Sequence, residues 1–163
     1  MKSIKAPWRA KYFKRKKENK CAFCDIVNET LDSRVICKEK HSFVIMNKHP
    51  YSYGHVMVIP YEHKMFLDEI DENTWNEMSN LVRIFEKILR QDIGADGVNI
   101  GMNLGEAAGA SIASHMHYHL VPRWFKDTNF MVTIAQTRVL GADEEEIYNI
   151  LKNRYLDLKK VKQ

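Results

Sequence analysis

The sequence predicts an α+β domain, and three observations predict it. Residues 71–92 carry apolar side chains at steps of three and four, the signature of a long amphipathic helix. Short apolar, β-branched segments stand before and after that helix. Breakers at Pro50, Gly54, Pro60, Gly94 and Pro122 keep the connections short, which favours antiparallel pairing.

Taken in order, residues 34–37 and Ser42–Asn47 read as two short strands separated by the polar turn Lys38–His41. A loop follows at Lys48–Gly54. His55–Pro60 reads as a buried strand stopped by its proline. In the long helix Asp71 is the N-cap, with Glu72 at the positive end of the dipole. Trp75, Met78, Val82, Phe85 and Leu89 form its core face, and Gly94 closes it. Val98–Met102 is a further strand. Asn103–Ser111 is small and flexible, too polar for a core strand. His115–Val121 is a strand ended by Pro122. A last helix runs from about 143 to 160. Asp143 caps it, three glutamates fill its first turn and lysines crowd its end, matching the dipole throughout.

The chain has 163 residues, enough for one domain with a real core, and 28% of them are charged, as in ordinary globular proteins. No run approaches a membrane span, and the N-terminus has no apolar signal region, so a cytoplasmic protein is expected. The net charge of +4 hides a division. Residues 1–20 hold nine bases and one acid, hence +8; the rest hold 16 bases and 20 acids, hence −4. Such an arm can contact phosphate or nucleic acid. Because no aromatic-interleaved basic stripe continues past it, it reads as a solvated leader with Pro7-Trp8 docked on the body, and nucleic acid is not the expected partner. The organisation is thus a basic arm, 1–20, and one domain, 21–163.

The chemistry concentrates in His115-Met116-His117-Tyr118-His119. On a strand, alternate residues share a face, so the three imidazoles would line up with neighbours about 6.5–7 Å apart. Imidazole is a nucleophile near neutral pH and a metal ligand, so such a row could bind a metal, relay protons or attack phosphorus. The preceding turn sharpens this. Gly105, Gly109, Ala110 and Ser111 let the backbone approach an anion closely, with amides and the Ser111 hydroxyl as donors.

Cys21 and Cys24 form Cys-Ala-Phe-Cys, and Cys37 stands in an apolar stretch as a small buried residue. Three thiols without a signal segment argue against a disulfide framework. The Cys-x-x-Cys pair is a reduced thiol pair, a redox motif or half of a zinc site. Two more ligands would come from His41, His49, His55, His63 and one of the row. Cys21, Cys24, His63 and His115 make a chemically sound set, which would hold His115 still and so help to fix His117. His41, His49 and His55 otherwise read as loop or strand-edge residues without a role.

Asn47–His63 and Asn103–Arg123 resemble the histidine-triad (HIT) superfamily. The signature His-φ-His-φ-His-φ-φ is met by His115–Val121 if Tyr118 counts as apolar. Ala6–Arg9, Pro122–Trp124 and Asp127–Met131 look most like the Fhit-like branch with the bacterial diadenosine tetraphosphate phosphorylases and hydrolases. The resemblance implies a five-stranded antiparallel sheet with two helices, usually paired into a homodimer. It implies that His117 attacks the α-phosphorus of a dinucleoside polyphosphate, forming a nucleotidyl-histidine that phosphate or water releases. His115 completes the catalytic row, and a protonated His119 would contact the phosphate and aid the leaving group. Asn47 falls at a ribose-binding position, Asn103 at the bridging or leaving phosphate, and Ser111 at the phosphate-contacting hydroxyl beside Gly109 and Ala110. Zinc, in a structural role, would sit on Cys21, Cys24, His63 and His115; no organic cofactor is implied. One departure is that five residues separate Gly109 from His115, one more than the commonest pattern, so Ser114 competes with Ser111. Rival readings are a purine nucleoside phosphoramidase, a nucleotide-binding module with little catalysis, and a zinc-held structural domain in which the row only packs.

Overall fold

Why these residues settle into layers is clearest in the strands. In β2 (Ser42–Met46) and β3 (Val56–Pro60) every residue is buried, so each strand contributes to two apolar clusters, one per sheet face. These strands pair antiparallel with β1 (Val35–Lys38), β4 (Gly97–Met102) and β5 (Tyr118–Arg123) in the order β1-β2-β3-β5-β4, the five-stranded antiparallel sheet the sequence implies. A computed structural model describes residues 21–28, 34–110, 112–125, 127 and 143–161. The basic arm 1–20, Ser111 and the stretch 128–142 lie outside the described residues.

One face of the sheet is covered by two long helices, α2 (Glu72–Gln91) and α3 (Glu144–Lys160). Val44, Met46, Val56, Val58 and Leu120 meet Met78, Phe85 and Leu89 of α2 and Leu151 and Tyr155 of α3. Asp71 caps α2 by accepting from the Asn73 and Thr74 amides at 2.8 and 3.1 Å, and Asp143 caps α3 by accepting from the Glu145 amide. The buried stripe of α2 runs through Met78, Leu81, Phe85 and Ile88, so Trp75 and Val82 lie on its margin rather than its axis. Cys37 is buried in this layer, and desolvation pushes its thiol up to about 12, so it packs as a small apolar group.

The other face carries Phe43, Ile45, Met57 and Ile59 beneath α1 (Ala22–Val27), which contributes Phe23 and Ile26. α1 is absent from the elements predicted above; six residues are too few for a periodic pattern. Pro122, expected to end the last strand, lies inside β5, opposite Val98. Pairing with β3 stops at Leu120, so the missing proline N–H costs no ladder bond on that side. Among the described residues no helix is long and apolar enough to cross a membrane.

Candidate functional site

The row of histidines lies on the α1 face, and only its last member is in regular ladder structure. β5 begins at Tyr118, so His115 and His117 precede it. Their entry segment is tied down elsewhere: the Met116 amide donates to the Lys64 carbonyl at 2.7 Å. The His117 and His119 ring centroids are therefore 4.7 Å apart, closer than strand spacing alone would set them. Tyr118 and Leu120 pack in the helix-covered layer, as the alternation predicts, and Met116 is buried ahead of the strand.

His117 is 2% exposed. Its Nδ1–H donates to the His115 carbonyl at 2.8 Å, which fixes the tautomer and leaves Nε2 as a lone-pair nitrogen. Nε2 of His117 makes no hydrogen bond among the described residues, and since no sealed side-chain nitrogen or oxygen there lacks a partner, Nε2 is the atom open to solvent. Burial lowers the His117 pKa, with the bond to His115 opposing, so the ring is neutral at pH 7. A neutral imidazole with one anchored and one free nitrogen is what nucleophilic attack requires.

His119 is held by a residue to which the sequence reading gives no role. His55 is fully buried, and its Nε2 lies 2.9 Å from Nδ1 of His119. Two donors meet the other nitrogen of His55: the Tyr51 amide and the Asn47 side-chain amide, each 3.2 Å from Nδ1. The Asn47 orientation is set because its Oδ1 accepts from the His49 amide at 2.9 Å. Nδ1 of His55 is thus an acceptor and Nε2–H the donor. His119 must then accept on Nδ1 and carry its proton on Nε2. Burial first, then neighbouring histidines, lowers His55 to about 3 and His119 to about 4. The free protein therefore holds a neutral His119 where the sequence reading expects a cation, yet it still presents an N–H. A signal for His55 does exist in the sequence. It shares the strand alternation of Met57 and Ile59, the residues that end on the α1 face. Only the pairing of β3 with β5, which the sequence does not reveal, brings it to His119.

At the opposite end the structure gathers Cys21, Cys24, His63 and His115, with one ligand atom from each within 4.8 Å of the others. Nδ1 of His115 lies 3.4 and 3.7 Å from the two sulfurs, and Nδ1 of His63 lies 3.1 Å from Cys24 Sγ. Tetrahedral zinc, with Zn–S of about 2.3 Å and Zn–N of about 2.0–2.1 Å, needs sulfur and nitrogen roughly 3.5 Å apart. The donor set fits. Nε2 of His115 donates to the Pro60 carbonyl at 2.9 Å, the outer bond that metal-ligating histidines usually make. Burial and the neighbouring Cys21 push the Cys24 thiol up to about 11, so a cation is what would ionise it. His41 and His49 take no part in either cluster among the described residues.

The turn before the row takes a fixed shape. Gly109 ends a 3-10 turn, Glu106–Ala108, with φ of +91°, a conformation that L side chains rarely adopt. Ala110 and Asn103 are partly buried, Gly109 and Ser114 are exposed, and Ser111 lies outside the described residues. Asn47, expected at the ribose, gives its side chain to His49 and His55.

A model of the HIT domain matches residues 28–126. An AP-4-A phosphorylase from Mycobacterium tuberculosis is 33% identical over 106 residues, 65% of this chain and 54% of that protein, so the chain spans about half the length of this relative. An adenylylsulfatase from Arabidopsis thaliana is 27% identical over 128 residues, 78% of this chain and 64% of that one. Among solved structures, a Zn-bound histidine triad family protein from Mycobacterium smegmatis superposes with a TM-score of 0.72 at 27% identity, covering 86% of this chain and 96% of that one.

Proposed function

The chain belongs to the HIT domain family, and from that premise we propose that it cleaves dinucleoside polyphosphates, of the diadenosine tetraphosphate kind, through a nucleotidyl-histidine on His117. The observation that carries this reading is the state of His117: neutral, anchored through Nδ1 to its own chain, with Nε2 free beside a second ring that presents an N–H. The phosphorylase named among its relatives gives the substrate class.

Nε2 of His117 attacks the α-phosphorus, the P–N bond forms, and the α–β bridging P–O bond breaks with its electron pair on the departing polyphosphate. Nε2–H of His119 faces that oxygen and stabilises its charge; an anionic substrate would raise the His119 pKa toward protonation. Amides that follow Gly109, whose own N–H donates to the Glu106 carbonyl, the Ser111 hydroxyl and Asn103 take the remaining phosphoryl oxygens. Phosphate or water then attacks the phosphorus and returns the electron pair to Nε2. Zinc on Cys21, Cys24, His63 and His115 would hold the start of the row and contribute to folding, outside the reacting atoms. The same reading pairs two copies through β4, a sheet edge whose Ile100 is 45% exposed.

The deciding experiment incubates the protein with diadenosine tetraphosphate, with and without inorganic phosphate. ADP plus ATP marks phosphorolysis, and AMP plus ATP marks hydrolysis. No cleavage in either arm, from protein shown to be folded, rejects the reading. Turnover of an adenosine phosphoramidate in its place would move the assignment to the phosphoramidases.

A further inference from the structure

Phe23 lies between the two cysteines of the tetrad in sequence, and between two histidines of the row in space. It is 3% exposed. Its ring meets His115 at 5.4 Å with an interplanar angle of 86°, and His117 at 4.9 Å and 68°, both edge-on contacts. The ring therefore touches the nucleophile itself, while its backbone is flanked by the ligands Cys21 and Cys24. A second path runs through His115, whose ring lies among the ligand atoms and whose carbonyl accepts the His117 Nδ1–H at 2.8 Å. No intermediate residue is needed on either path.

We propose that Phe23 is a positioning residue for His117, and that with the His115 carbonyl it makes the orientation and tautomer of the nucleophile depend on an occupied tetrad. The proposal rests on the nucleotidyl-transfer reading for its kinetics but not for its spectroscopy. The two contacts divide the work. The carbonyl selects which nitrogen carries the proton, and the aromatic edge limits rotation of the ring about the bond to that carbonyl. With His115 loosened, the carbonyl can turn away and the ring can protonate on the attacking nitrogen. Among the described residues the His115 carbonyl is the one acceptor that the His117 ring meets.

The test uses the full zinc-loaded chain with Phe23→Leu, which keeps an apolar side chain but loses the aromatic edge, and Phe23→Tyr, which keeps the edge. Four readouts are taken: zinc per chain, KM, the rate of nucleotidyl-histidine formation in a single turnover, and the His117 tautomer by long-range proton–nitrogen NMR at one neutral pH. Phe23→Leu should keep one zinc and an unchanged KM, lose about tenfold to a hundredfold in the single-turnover rate, and show a mixed tautomer. Phe23→Tyr should restore most of the rate. Zinc-stripped wild type should show the same mixed tautomer. A Phe23→Leu protein with wild-type rate and a pure Nδ1–H ring overturns the proposal, as does stripped protein that stays folded with that ring intact. Loss of zinc from Phe23→Leu overturns it too, because Phe23 would then serve the metal site alone. If the wild type cleaves no nucleotide, the proposed activity fails while the tautomer measurement still decides this inference.

Discussion

The histidine row is held at its two ends by different chemistry. At the His115 end, two thiols and two imidazoles converge under an apolar helix, a set of donors that a cation would complete. At the His119 end, an amide side chain, a backbone amide and a buried histidine form a chain in which each donor meets an acceptor. The first end fixes position through the fold of α1. The second fixes a proton, placing it on Nε2 of His119, the nitrogen that does not meet His55. The middle histidine depends on both ends in separable ways: its tautomer comes from the His115 side, its partner's N–H from the His55 side.

Removing the middle residue should have the largest effect. His117→Ala is expected to lower turnover by roughly 10⁴-fold or more, because the proposed intermediate forms on this ring. Measured single-turnover rates near those of the wild type would break the whole scheme. Next comes the metal end. Cys24→Ser, or chelation, should lower Tm by about 10 °C, since a structural metal adds several kcal/mol of folding energy and each kcal/mol is worth about 2–4 °C in a chain of this size. A thermal melt unmoved by chelator, on protein shown to have held zinc, would remove that end from the comparison.

The His55 end should respond in rate rather than in stability of the whole. His55→Phe keeps a ring but offers no donor, so His119 can carry its proton on Nδ1 and present a lone pair to the leaving oxygen. A loss of about 10²-fold in kcat is expected, with Tm changed by only a few degrees. His55→Gln can still donate, and it should recover part of the rate. Equal activity in the two variants would show that the hydrogen bond to His119 is not what matters.

These two ends also differ in how far the sequence discloses them. The tetrad is visible because two cysteines with two residues between them announce a ligand pair, and the resemblance names both histidines. The row is visible because strict alternation is rare. Asp71, Asp143 and the two long helices are equally plain, since caps and periodicity are local. The sequence gives the face of His55 but not its partner, for the opposite reason. Its role exists only once β3 lies beside β5, and a histidine at the head of an apolar strand looks like an edge residue. α1 is hidden because its six residues are held by contacts with Phe43, Met57 and Ile59 rather than by their own propensity.

Acid should load both ends, since burial lowers His115 to about 4 as it does His119, and His55 to about 3, so the share of the His55 end is read by removing it. His55 and His119 are held at about 3 and 4 in the folded chain, against 6.5 when unfolded. Between pH 6.5 and 4 the unfolded chain binds protons on these rings that the folded chain does not. Stability therefore falls as pH falls through that window, and is flat with respect to these groups above it. Melting curves from pH 7.5 to 4.5 should show the decline, and His55→Phe should flatten part of it. A variant that declines as steeply as the wild type would mean that the acid sensitivity lies elsewhere.

The smallest effect is expected at Asn47, and it distinguishes a ribose contact from a support for His55. The Asn47 amide is one of two donors to His55 Nδ1, and the Tyr51 amide would remain after Asn47→Ala. One hydrogen bond of about 1 kcal/mol is at stake, worth roughly fivefold. If Asn47 acts through His55, the loss falls on kcat, and combining Asn47→Ala with His55→Phe adds nothing, because the bond is already gone. If it acts on the sugar, the loss falls on KM and persists in the His55→Phe background. A double-mutant cycle on both constants separates the two, since residues in one hydrogen-bond chain couple and independent ones add.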